Sequence, residues 1–216
     1  MKNILYKELR LVIMPGIYLF SLLSFMLLIP QYPYFVGISY AVFAVFITFN
    51  AAQASNDHKL TAMLPVPRNY IVAGKHVTVI VLEVIQLLVA IPAALISSLV
   101  LYPDGNPVGM DANFAFFGFS LIAYSVYNLI FLPWYFKTGY RTGIPTVFAM
   151  TGYLVTVVLI ECVVNLFPAI HAAVDSLEPS TFPVQLIVLA AGIVIYCCAI
   201  ALSYRISCKN FERVSL

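Results

Sequence analysis

The chain has 216 residues, 62% of them hydrophobic and 9% charged, and its formal net charge is +2. A mean hydropathy of +0.99 makes lipid its solvent, and the continuous apolar runs exclude a barrel of alternating strands. Topology accounts for every cation, so no basic surface is left over for nucleic acid.

Six apolar stretches are long enough to cross about 30 Å of hydrocarbon at about 1.5 Å per residue. They cover residues 11–29, 34–52, 76–101, 113–136, 144–167 and 183–204. One alternate set of connectors holds Lys2, Lys7 and Arg10; Lys59, Arg68 and Lys75; Lys137 and Arg141; and Arg205, Lys209 and Arg213, which are all eleven cations. The other set holds no cation, only Asp104, Asp111, Asp175 and Glu178. This asymmetry predicts an all-α integral membrane protein with six transmembrane helices and both termini cytoplasmic. Residues 1–216 then form a single transmembrane domain in the cell membrane.

In chain order, residues 1–14 come first. Ile4, Leu5, Leu9 and Val12 share one helical face, and Lys2, Lys7 and Arg10 lie at headgroup level. Pro15-Gly16 permits a break. The segment reads either as an interfacial elbow or as the charged start of a straight first helix. A cleavable signal is excluded, because no small-residue cleavage site follows and the chain runs through Pro30 and Pro33 into a second span.

The connector at 53–75 is the unusual one. From residue 56 it reads NDHKLTAMLPVPRNYIVAGK, more than a reversal of direction requires. Leu60, Met63 and Leu64 fit one helical face, Pro65 and Pro67 impose an extended break, and residues 69–75 can begin the third span. It is either a structured docking element or an amphipathic linker on the lipid surface.

Inside the spans, Glu83 and Glu161 stand out, since a charged carboxylate at mid-bilayer costs about 2.5–3.5 kcal/mol. Two readings stay open for them. They line a pathway or sense a cationic substrate, with Tyr124, Tyr127 and Asn128 beside them, or each hydrogen-bonds a neighbouring helix through Gln86, Asn128 or a tyrosine. Trp134 and Tyr135 suit an interfacial belt. Ala93, Ala94, Ser97 and Ser98, and Ala190, Ala191 and Gly192, permit close helix approach, while Pro92 and Pro133 are expected to kink their helices. No catalytic or metal site is expected. His171 and Asp175 supply two ligands without a third, and no H-E-x-x-H or G-x-S-x-G motif occurs. Cys162, Cys197 and Cys198 lie inside spans and read as small hydrophobes, and Cys208 lies in the cytoplasmic tail.

A set of residues in the connector forms a recognisable pattern: Asn56-Asp57, Leu64-Pro65-Val66, Arg68, Ile71-Val72 and Lys75. With LYKELRL at 5–11 and FKTGYR at 136–141, it resembles the small six-helix permease subunits of type-two ATP-binding-cassette (ABC) exporters. That group includes exporters of phenol-soluble modulins and lantibiotic-immunity permeases. Pro67 departs from the usual Ser or Thr.

The resemblance implies a coupling helix seated in a groove of a separate ATPase subunit. Leu60, Met63 and Leu64 would be its apolar anchor, and Asp57, Lys59 and Arg68 its charged rim, with Asn56 opening the motif and Pro65 and Pro67 limiting flexing. It also implies a second permease copy, identical or paralogous, and a hydrophobic or amphipathic cargo, above all a peptide. ATP and Mg belong to the partner. The chain's own Gly74-Lys75 is followed by His76, and Asn69 stands where a phosphate-binding loop needs its first Gly. The alternative reading is a membrane-embedded enzyme or a non-transporting accessory protein.

Overall fold

The computed structural model describes residues 2–29, 31–57, 61, 66–103, 105–106 and 108–213. Its elements begin with α1 (Lys2–Lys7), which continues as a π turn over Glu8–Val12, and α2 (Pro15–Tyr18), which continues as a 3-10 helix over Leu19–Leu28. Then come α3 (Tyr34–Ala54), α4 (Arg68–Ile96) with a π turn at Ser97–Leu101, α5 (Phe114–Lys137) and α6 (Gly143–Leu166). A short α7 (Pro168–Val174) and the long α8 (Phe182–Glu212) complete the order, and no strand occurs among the described residues. Helices α3, α4, α5, α6 and α8 are each long and apolar enough to cross a bilayer, and α1 with α2 passes the same test only as a pair bent by 79°.

That bend corrects the first expected boundary. Pro15 sits at the first turn of α2, where its missing N–H costs nothing, and holds Met14 extended (φ −62°, ψ 138°). The stretch expected at 11–29 is therefore divided at Pro15, with Leu11 and Val12 in the first helical piece and residues 15–28 in the second. As an α-helix the fourteen residues of α2 would reach only about 21 Å. Winding ten of them as a 3-10 helix stretches the segment to about 26 Å, close to the hydrocarbon thickness. Across the bend, the Tyr18 hydroxyl donates to Leu9 O at 2.9 Å.

Helices α5 and α8 make a close crossing. Gly118 and Gly192 face one another at the crossing, where a Cβ on Gly118 would lie 2.7 Å from Val188 O. Ala190 and Ala191, also expected at a close approach, are exposed instead. In the most apolar window of α5, 61% of residues are buried, against 17% for α6, which packs at the edge. On the other side, Gln86 ties three helices by donating to Ser24 Oγ and to Gly37 O, both at 2.8 Å. Helices α4 and α5 run through Pro92 and Pro133 without interruption.

The connectors sort into two ends. At one end Lys7, Asp57 and Lys75 meet, Gln53 Oε1 accepts from the Thr142 hydroxyl at 2.7 Å, and Arg68 reaches Phe211 O at 3.3 Å. The π turn after α1 and the end of α8 lie there. At the other end Asn106 donates to Tyr32 O at 3.2 Å and Asn113 to Val174 O at 2.7 Å. Asn113 also caps α5, accepting from Phe116 N at 3.1 Å.

Candidate functional site

At the basic end, four charged side chains from three segments close a ring. Lys7 Nζ bonds Glu8 Oε1 at 3.2 Å and Asp57 Oδ1 at 2.7 Å, and Lys75 Nζ bonds Glu8 Oε2 at 2.8 Å and Asp57 Oδ2 at 3.2 Å. Each carboxylate spends one oxygen on each lysine, so the ring is neutral and doubly bridged. Lys75 is 3% exposed and Glu8 1%, so the ion pairs have left water and are held by mutual contact. The Lys7 ammonium also bonds Thr61 Oγ1, and Lys75 Nζ lies 5.7 Å from the Phe49 ring centre. Burial alone would raise the pKa of Asp57, but Lys75 and Lys7 outweigh it and hold the carboxyl below its usual 3.8.

Local structure brings these groups together. The elbow lies on α4 at Gly74, where a Cβ would stand 2.9 Å from Ile4 Cγ2 and 3.2 Å from Glu8 Cγ. Glycine there lets Glu8 reach its lysine. At the end of α3, Asn56 takes a left-handed conformation (φ 54°), which an Asn tolerates, and this turns Asp57 back under the helix. Beside the ring a cleft of about 450 Å³ opens between the elbow and the end of α3, with Leu11, Val12 and Met14 on its apolar side.

These positions revise the connector as read from sequence. Asp57 is not an outward rim charge; it points inward and joins the ring. Arg68 turns to the end of α8, donating to Phe211 O at 3.3 Å and Glu212 O at 3.5 Å, with its guanidinium 5.5 Å from the Phe211 ring centre. It thereby satisfies carbonyls that the last helical turn leaves free. Lys59, Leu60, Met63, Leu64 and Pro65 lie outside the described residues. The sequence reading missed the partnership of Lys7, Glu8 and Lys75, although Glu8 and Asp57, set among the basic connectors, were a visible signal.

The intramembrane candidates divide. Glu83 is fully buried within one copy of the bundle. Its carboxylate accepts from the Tyr196 hydroxyl at 2.5 Å and from Asn128 Nδ2 at 3.0 and 3.1 Å, which links α4, α5 and α8. Gln86, suggested as its partner, bonds Ser24 and Gly37 instead. Tyr124 and Tyr127 are equally buried; the Tyr124 hydroxyl donates to Ile38 O at 2.7 Å.

Glu161 differs. It is half-buried, borders a groove of about 370 Å³ between α3 and α6, and accepts from Met110 N at 3.3 Å. His171 pairs with Asp175 at 3.4 Å, and Asp175 accepts from Asp111 N at 2.7 Å. Burial pushes the carboxyl groups of Asp111 and Asp175 up from their usual range. Among the described residues no three His, Cys, Asp or Glu side chains converge as a metal site would require.

No curated protein and no solved structure matches the chain. Residues 3–212 match the family model described as ABC-2 family transporter protein. An elbow, a bundle of apolar helices and a connector bolted to both thus fall within one matched span, and the chain belongs to the ABC-2 family of transporter membrane proteins.

Proposed function

We propose that the chain is the permease of an exporter that moves a hydrophobic or amphipathic substrate, above all a peptide, out of the cytoplasm or the inner leaflet. ATP hydrolysis, with its Mg, takes place in a separate ABC ATPase docked on the 56–75 connector. The observation that carries this reading is the ring of Lys7, Glu8, Asp57 and Lys75. It fastens the entry of the connector to both the elbow and α4, so that a push on the connector displaces both as one body. The basic end faces the cytoplasm by the positive-inside rule, which puts both termini there.

A second permease copy completes the pathway, and α6 offers it the least covered helix surface. Of the pathway candidates, Glu161 borders an accessible groove, whereas Glu83, Asn128 and Tyr124 bond between helices and Tyr127 is buried. The groove walls are apolar side chains such as Leu154, Val157 and Val158, which suits an amphipathic cargo better than a sugar or nucleotide.

The test is co-expression with the ABC ATPase of the same source, followed by hydrolysis measurements on the purified complex. A stable complex stimulated by amphipathic peptides is expected. Stimulation by lipids or small drugs but by no peptide would remove the peptide cargo. Absence of a complex between two well-folded subunits would remove the ATPase partnership.

A further inference from the structure

Helix α8 is longer than a membrane requires. Its 31 residues extend about 46 Å, and the stretch before Arg205 already matches the hydrocarbon thickness. The remaining turns, through Arg213, are two-faced. Ser203, Ser207 and Phe211, spaced by four, are buried. Arg205, Lys209 and Arg213, also spaced by four, are exposed; Glu212 lies on the same side and offsets one of them.

The extension is built onto the rest of the molecule. Phe211 is 1% exposed, with ring centres of Phe136 and Tyr140 at 5.5 and 5.6 Å. Asn210 Nδ2 donates to Pro133 O at 2.8 Å, and Arg68 holds the last carbonyls. Tyr140 takes a left-handed backbone (φ 68°) as its ring enters this box, a strain that the packing must offset. The positive-inside rule accounts for cations near a helix end. It does not account for their alignment on one stripe, nor for a helix end pinned by an aromatic box and a capping guanidinium.

We propose that the exposed face of Arg205, Lys209 and Arg213 is a second contact surface for the ATPase, continuous with the connector through Arg68, and that it meets an acidic strip on that subunit. The inference rests on the ATPase partnership given above. Length favours a protein over lipid headgroups. Arg213 lies about 12 Å beyond Arg205 along the helix, whereas one headgroup layer is only about 5–7 Å deep. Arg68, placed between connector and α8, makes the two surfaces move together.

The test uses the full chain in nanodiscs, titrated with the ABC ATPase of the same source. The discs contain phosphatidylcholine alone or with phosphatidylglycerol. The variant R205Q/K209Q/R213Q keeps every other cation that sets orientation, and Lys137→Gln serves as an exposed control at the same end. The triple variant should bind ATPase about ten-fold more weakly in both lipids, with a shallower salt dependence, while the control is unchanged. Lys209→Gln and Arg213→Gln alone should each give part of the loss. Equal affinity of the triple variant and wild type would overturn the proposal, as would a deficit confined to the anionic discs, which would make the stripe a lipid contact. Wild-type chain that binds no ATPase would remove the partnership itself, a separate and recognisable failure.

Discussion

Lys75 lies 3% exposed, against two carboxylates and an aromatic face. Lys75→Met deletes both ion pairs and leaves Glu8 and Asp57 to share one lysine in a dry site. Breaking a buried pair this way costs about 3–5 kcal/mol, so the detergent-purified variant should melt well below the wild type. An unchanged melting temperature would contradict the ring. The acid response follows from Asp57. Its folded pKa lies below the usual 3.8, so its stabilisation is complete above that value and is lost as pH falls through the depressed one. Melting temperature should therefore drop on acidification below about pH 4, and Asp57→Asn should remove part of that drop. Hydropathy shows that Lys7 and Lys75 belong at one end of their spans. It carries no information on where an ammonium points, which is why both read as topology signals and the ring stayed hidden.

At the scale of the element, the glycines separate close helix crossings from loose ones. A Cβ on Gly118 meets backbone of α8, whereas one on Gly152 meets the end of a flexible side chain, Ile130 Cδ1. Gly118→Ala or Gly192→Ala should cost about 1–3 kcal/mol in thermal unfolding, and Gly152→Ala much less. Equal costs at all three sites would contradict the α5–α8 contact as the tight core. Gly192 was legible as one half of this crossing. Gly118 was not, because a lone glycine in an apolar run does not name its partner. Helices α3, α5 and α6 lie within two residues of the stretches read from hydropathy, whereas α4 begins eight residues before His76 and α8 runs eight residues past Tyr204. The break at Pro15 was legible, because a proline holds the residue before it extended, whereas the 3-10 winding of α2 was not. The two intramembrane glutamates were legible as unusual but not as to role. The sequence marks Glu83 and Glu161 alike, and only tertiary contacts separate a buried clasp from a groove-side carboxylate.

For the whole molecule, the central claim is mechanical: motion at the connector should reach the elbow and α4 through the ring. The direct test is a double-mutant cycle on substrate-stimulated ATP hydrolysis by the reconstituted permease–ATPase complex. It compares wild type, Asp57→Asn, Lys75→Gln and the double variant, each first shown to fold and to retain the ATPase. Groups that act as one network couple by about 0.5–3 kcal/mol, so either single variant should lose most stimulation and the double variant little more. Full stimulation in both single variants, or losses that simply add, would contradict the claim.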